Sequence, residues 1–169
     1  MALALPVLAL PVPGAAQSGA ASAEVQFGEG GRTSGQPVEV TADSLEMNRD
    51  AGTALFRGNV LIVQGPLRLS GAEVDVLYGP GAEGESQVQR VEARGGVTLV
   101  NGPDAAEGEQ AVYTVASGEV VMTGDVLLTR PDAAMTGERL RVNVDDGSGV
   151  MEGRVTVLFT PEGGGEDGG

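Results

Sequence analysis

A glycine two residues ahead of a valine returns four times along this chain: Gly58-Asn59-Val60, Gly95-Gly96-Val97, Gly124-Asp125-Val126 and Gly153-Arg154-Val155. The glycines stand 37 (58 to 95), 29 (95 to 124) and 29 (124 to 153) residues apart. A second signal interleaves with the first: Ala42-Asp43-Ser44-Leu45, Gly71-Ala72-Glu73-Val74, Gly108-Glu109-Gln110-Ala111 and Gly137-Glu138-Arg139-Leu140. Each of the first three glycines is followed by a small-acidic start 13 residues on (58 to 71, 95 to 108, 124 to 137). The unit is therefore 29 residues long, and one copy carries 8 more. The surplus falls at Gly79-Pro80-Gly81-Ala82-Glu83-Gly84-Glu85-Ser86, which reads as a loop. A fixed period of this length means stacked supersecondary units that share one continuous core. Such a stack has two ends, where ligands or partners are expected to act.

Between residues 37 and 160 the apolar positions recur every second residue. Examples are Val38 and Val40, Val60 and Ile62, Leu67 and Leu69, Val74 and Val76, and Leu140 and Val142. Period two is the mark of strands with one buried face. Glycine is too dense for long helices, at 28 of 169 residues. Gly, Asn, Asp and Pro clusters separate the runs, at 48–52, 64–66, 101–104, 116–118, 130–132 and 145–149. Each unit thus holds about four short strands, whose apolar sides must meet. Two all-β architectures satisfy this: two sheets enclosing an apolar slot, as in a jelly roll, or a β-solenoid with a packed centre. The Gly-x-Val glycines mark either bends where a strand passes between sheets or plain turns.

Composition closes off several functions. With 10 Lys and Arg against 24 Asp and Glu, the net charge is −14, so neither nucleic acid nor an anionic membrane surface is an expected partner. There is no His and no Cys, so the usual physiological-pH acid–base residue and the thiol nucleophile are both missing. Ser44, Ser70 and Ser117 accordingly have no partner for a catalytic triad. Acid pairs such as Asp43/Glu46 and Glu107/Glu109 fall at repeat starts, where solvated strand ends are expected. Asp145-Asp146-Gly147-Ser148-Gly149 lacks the ligand alternation of a calcium loop and reads as a hairpin turn. No enzyme, metal or cofactor is expected.

The termini differ from the middle. Residues 2–13 are almost wholly Ala, Leu, Val and Pro, too short for a membrane span, and lead to Ala21-Ser22-Ala23, a cleavage site of the A-x-A type. Residues 1–23 are therefore expected to be a cleaved export signal, 24–36 a flexible leader, 37–160 the folded domain, and 161–169 a disordered acidic tail.

Three stretches carry a family resemblance. These are Gln36-Pro37-Val38-Glu39-Val40-Thr41-Ala42-Asp43-Ser44-Leu45-Glu46-Met47, Phe56-Arg57-Gly58-Asn59-Val60-Leu61-Ile62-Val63-Gln64-Gly65 and Leu67-Arg68-Leu69-Ser70-Gly71-Ala72-Glu73-Val74. The succession resembles the OstA-like family of lipopolysaccharide-export proteins to which LptA belongs. Met122-Thr123-Gly124-Asp125-Val126 and Gly137-Glu138-Arg139-Leu140 resemble the later repeats. The resemblance implies a twisted, open β-jelly roll in the periplasm that holds lipid A acyl chains in an apolar groove. It further implies an LptC-like inner-membrane partner, an LptD-like outer-membrane translocon, and self-association head to tail. It places Val38 and Val40 in the groove. Strand alternation adds Val60, Ile62, Leu67, Leu69, Val74, Val76, Leu99, Tyr113, Met122, Leu128, Leu140 and Val142 as groove-facing positions. The competing expectations are another component of the same fold, LptC-like or a translocon N-terminal domain, and a purely structural β-solenoid. Acyl chains need only an apolar, shape-tolerant surface, and each buried methylene contributes about 0.8 kcal/mol.

Overall fold

A computed structural model describes residues 21–28, 36–81 and 83–160. The described residues form eleven strands, β1 (Ser22–Gln26), β2 (Glu39–Thr41), β3 (Ser44–Asn48), β4 (Thr53–Gln64), β5 (Leu67–Pro80), β6 (Ser86–Asn101), β7 (Asp104–Thr114), β8 (Glu119–Thr129), β9 (Ala133–Asn143), β10 (Ser148–Glu152) and β11 (Thr156–Phe159), with one short 3₁₀ turn at Val115–Ser117. All pairings are antiparallel, in the order β1-β10-β9-β8-β7-β6-β5-β4-β2, with β3 added to β4 and β11 to β9. The sheet does not close on itself, and the architecture is an open β-jelly roll. No helix among the described residues is long and apolar enough to cross a membrane.

The strands are longer than short-strand alternation predicts, because each merges two runs through a bulge. Register shifts fall between Arg57 and Val60, Ser70 and Glu73, Arg94 and Val97, Glu107 and Gln110, and Thr123 and Val126. These are the two interleaved sequence signals. Val60 pairs with Gly71, Val97 with Gly108, and Val126 with Gly137, so the constant 13-residue step is the hairpin that joins one signal to the next. The backbone at Gly58-Asn59, Gly95-Gly96, Gly124-Asp125 and Gly153-Arg154 is left-handed at both residues. Only glycine adopts that conformation freely, and Asn and Asp tolerate it better than other residues.

Each bulge bends its strand, so one half of it joins a layer A and the other half a layer B. Layer A contains β2, residues 60–64, 67–70, 97–101, 104–107, 126–129 and 133–136, and β11. Layer B contains β3, residues 53–57, 73–80, 86–94, 110–114, 119–123 and 139–143, β10 and β1. Their apolar faces share a single core that includes Val60, Val74, Leu99, Met122, Val126, Leu128, Leu140 and Met151. The end bearing β2 and β3 is called the head here, and the end bearing β1, β10 and β11 the tail.

Two expectations change. The surplus eight residues are not only a loop: β5 runs on to Pro80 and β6 starts at Ser86, so Gly79, Pro80 and Ser86 extend two layer-B strands around a turn. The segment 24–36 was expected as a flexible leader, yet β1 occupies Ser22–Gln26 and Phe27 is fully buried. Ala23, Val25 and Phe27 alternate with Ser22, Glu24 and Gln26, a period-two run hidden among small residues. Residues 1–20 of the signal-like segment and the acidic tail 161–169 lie outside the described residues.

Candidate functional site

Between the layers, at the head half, lies an apolar cavity of about 520 Å³. Layer A walls it with Val38, Val40, Ile62, Leu67, Leu69 and Leu99, and layer B with Phe56, Val76, Tyr78, Val88, Val91, Ala111, Tyr113 and Val120. Gln64, Ser86 and Gln87 set polar groups at its edge. The volume falls within the range of ordinary ligand sites, and the walls offer aliphatic and aromatic surface with few polar atoms. Burial pushes the Tyr113 phenol above its ordinary pKa of 10.0, and the nearby Asp145 carboxylate adds to the shift. A second hollow at the tail, bounded by Glu24, Gln26, Glu119, Arg141 and Ser148, is more open and has mixed charged and apolar walls.

Eight of the groove-facing positions named from sequence line this cavity: Val38, Val40, Ile62, Leu67, Leu69, Val76, Leu99 and Tyr113. The other six, Val60, Val74, Met122, Leu128, Leu140 and Val142, point inward too but pack as solid core, each no more than 1 % exposed. Alternation gives the face of a strand, not whether the space opposite it is filled. The cavity also uses residues that sequence reasoning missed. Tyr78, Ser86, Gln87 and Val88 come from the ends of β5 and β6 that border the eight-residue surplus, so these lengthened strand ends build part of the wall of the slot. Phe56 stands before the first bulge, opposite Val74 on β5.

The outer face of layer B is the chemical opposite of the slot. Arg57, Glu73 and Arg94 are direct neighbours across β4, β5 and β6. Arg57 reaches Glu46 at 2.6 Å and Glu73 at 3.0 Å, while Arg94 reaches Glu73 at 3.5 Å and also binds Asp75. A hydrogen bond to Glu73 is the main reason the Arg57 guanidinium holds its proton more tightly than usual. Such exposed pairs add little stability each, but they keep this face wet and mark the inner face as the one for apolar ligands.

The tail half of the slot is closed. β1 lies on β10, and the chain then crosses from layer B to layer A. The Phe27 N–H donates to the Gly147 carbonyl at 2.6 Å, and the Gly28 N–H donates to Asp104 Oδ2 at 2.7 Å. Asp104 is 2 % exposed; its other oxygen faces Arg130 Nε at 3.6 Å, outside hydrogen-bond range. A side chain at position 28 would collide with Asn101, and glycine's φ there is +73°.

The described residues thus define an unclosed jelly roll of bulged, two-layer strands around an apolar slot. Residues 39–148 match the family described as LptA/(LptD N-terminal domain) LPS transport protein, and the chain belongs to that family. An uncharacterized protein of Rhizobium meliloti (strain 1021) is 29 % identical over 168 residues, covering 91 % of this chain and 90 % of the relative. The lipopolysaccharide export system protein LptA of Escherichia coli (strain K12) is 26 % identical over 111 residues, covering 62 % of this chain and 58 % of LptA. The crystal structure of LptH, the LptA-homologous periplasmic component of the lipopolysaccharide transport device of Pseudomonas aeruginosa, superposes with a TM-score of 0.66 at 21 % identity. That match covers 75 % of this chain and 96 % of LptH, and at that identity it carries the fold.

Proposed function

We propose that this protein is a periplasmic carrier that holds the acyl chains of lipid A in the inter-layer slot and hands lipopolysaccharide from the inner to the outer membrane. The observation that carries the reading is the cavity, with its apolar walls in both layers and polar groups only at its edge. A chain of about twelve carbons laid against such walls gains on the order of 10 kcal/mol gross, part of which offsets the ordering of ligand and protein. A net charge of −14 leaves the anionic headgroup in solvent, so the grip is on the chains alone. Nothing in this scheme requires catalysis.

In this reading the carrier works in a series. An LptC-like partner loads it at one end, an LptD-like translocon unloads it at the other, and copies of the carrier join head to tail between them. The edges support this. Among the described residues, β2 and β3 are edge strands at the head, and β11 at the tail, with Val38, Leu45, Met47, Leu158 and Phe159 each at least half exposed. Unpaired edges of this kind take up a strand from a partner. Export is expected to remove the apolar N-terminal segment.

The test is direct. The full chain, expressed with its export segment in a lipopolysaccharide-producing host, is expected in the soluble periplasmic fraction with lipopolysaccharide bound at about one per chain. Delipidated protein is expected to rebind lipopolysaccharide, but not its deacylated core sugar. Equal binding of both would reject the acyl-chain reading. Retention in the inner membrane would instead favour the LptC-like alternative, and recovery as part of an outer-membrane barrel protein the translocon-domain alternative.

A further inference from the structure

The slot is asymmetric. At the head it opens between Gln64 and Leu67 on one side and Tyr78 and Gln87 on the other. At the tail the same gap is spanned by the protein's own N-terminal segment. Val25 and Phe27 insert into the core with Leu128, Leu140, Val142, Val144 and Met151, and Phe27 is wholly excluded from water. An apolar side chain thus fills the gap between the layers at the tail.

We propose that Val25–Gly28 is a displaceable plug that stops an acyl chain at the tail and must leave before a chain can pass through. The proposal rests on the lipid reading above and adds a gate to it. Three features make the segment separable from the rest of the fold. Among the described residues, β1 is an edge strand, paired on one side, with β10. Its crossing to layer A is held by the bond from the Phe27 N–H to the Gly147 carbonyl and the bond from the Gly28 N–H to the Asp104 carboxylate. What it buries is one aromatic ring and one valine, which an acyl methylene chain replaces like for like. Elements of low local stability, with few partners and an edge position, are the ones that open without global unfolding. Departure of the plug would also bare the outer edge of β10, so opening the tail and exposing a strand edge there are one event.

Hydrogen exchange on the full chain tests this, because the Phe27 and Gly28 amides are both hydrogen-bonded in the closed state. Titration with lipopolysaccharide is expected to speed exchange of residues 22–28 by about tenfold or more while peptides from β6 and β8 stay protected. A second arm locks the plug. The Phe27–Gly147 bond makes that pair hydrogen-bonded, so by alternation Glu24 and Val150 form a non-hydrogen-bonded pair with close, outward side chains. The chain has no native cysteine, so Glu24→Cys with Val150→Cys gives a single reversible crosslink. Oxidised, it is expected to suppress the exchange response and cut bound lipopolysaccharide at least threefold; reduction is expected to restore both. Lipopolysaccharide bound to the same level with residues 22–28 still protected, or unaffected by the crosslink, overturns the plug and leaves the lipid reading standing. No binding of lipopolysaccharide by any form overturns both.

Discussion

Tyr113 stands in the slot wall with its phenol pushed above 10.0 by burial, and this gives the fold an alkaline limit. The neutral form is the one the folded state favours. The contribution is therefore complete below about pH 10 and lost as pH rises through the higher folded value. Tyr113→Phe is expected to flatten the fall of melting temperature between about pH 10 and 12. In a Tyr78→Phe background, where Tyr113 is the remaining tyrosine, the phenolate absorbance should appear above pH 10; a midpoint at or below it would contradict the burial described here. Two valines separate slot from core on the same scale. Val40, half-buried beside Ile62, lines the slot, whereas Val74 is 0 % exposed. Val40→Asp is expected to abolish lipopolysaccharide binding at a stability cost of about 1–2 kcal/mol, and Val74→Asp to cost several kcal/mol or prevent folding. Chemical denaturation beside a binding assay resolves the two; equal loss of stability would mean that the slot is ordinary core. The sequence marks both valines as inward and nothing more, because the contrast depends on what stands across the gap.

The bulges are the elements that turn a flat ladder into a container. Their signals were legible, as glycines and small-acidic starts at fixed spacing, but their relation was not. In space the acidic residue of one signal covers the glycine of another: Asp43 lies over Gly58, Glu109 over Gly124, and Glu138 over Gly153. A Cβ on Gly124 would stand 2.6 Å from Glu109 Cβ, and the backbone there has φ +88°. Gly124→Ala is therefore expected to cost about 2–4 kcal/mol. Glu109→Gly in the same chain should return part of that loss, by removing the collision but not the strained φ. A double-mutant cycle by urea denaturation measures the coupling. Strict additivity would show that the two signals are neighbours in sequence pattern only. The same logic explains why the strands reach into the edges of the insertion. Eight residues rich in Gly and Glu look like a loop, yet the flanking Leu77, Tyr78 and Val88 hold enough β-forming surface to carry the pairing outward.

At the scale of the molecule, the two ends decide assembly. Thr160 N–H bonds to the Asp132 carbonyl at 3.0 Å, so by alternation the N–H groups of Val157 and Phe159 point away from β9. Val157→Pro then removes an outward donor without breaking the ladder, and a folded protein with weakened self-association is the expected result. Wild-type copies each carry −14, so screening their repulsion should strengthen association. Sedimentation across 50–500 mM salt is expected to show larger oligomers at the higher ionic strength and concentration, about as a Debye-screened repulsion requires. Oligomers that dissolve as salt rises would point to ion pairs at the contact instead. An open jelly roll with strand edges at both ends was legible from the repeat, the resemblance and the apolar alternation. The sealed tail was not, because its strand, Ser22–Gln26, belongs by position to the leader and by pairing to the far end of the chain.

That pairing sets the order of events as the chain folds. Most strands meet a neighbour in sequence, so hairpins from β4 to β10 can form one after another as residues emerge. Local pairings of this kind are fast, and long loop closures come late. β1 makes the longest-range pairing: the bond from Gln26 to Asp146 closes a separation of 120 residues. β1 therefore cannot dock until β10 has been added. A partly emerged chain has its tail unsealed, and the pairing that spans most of the chain is the one that shuts the slot.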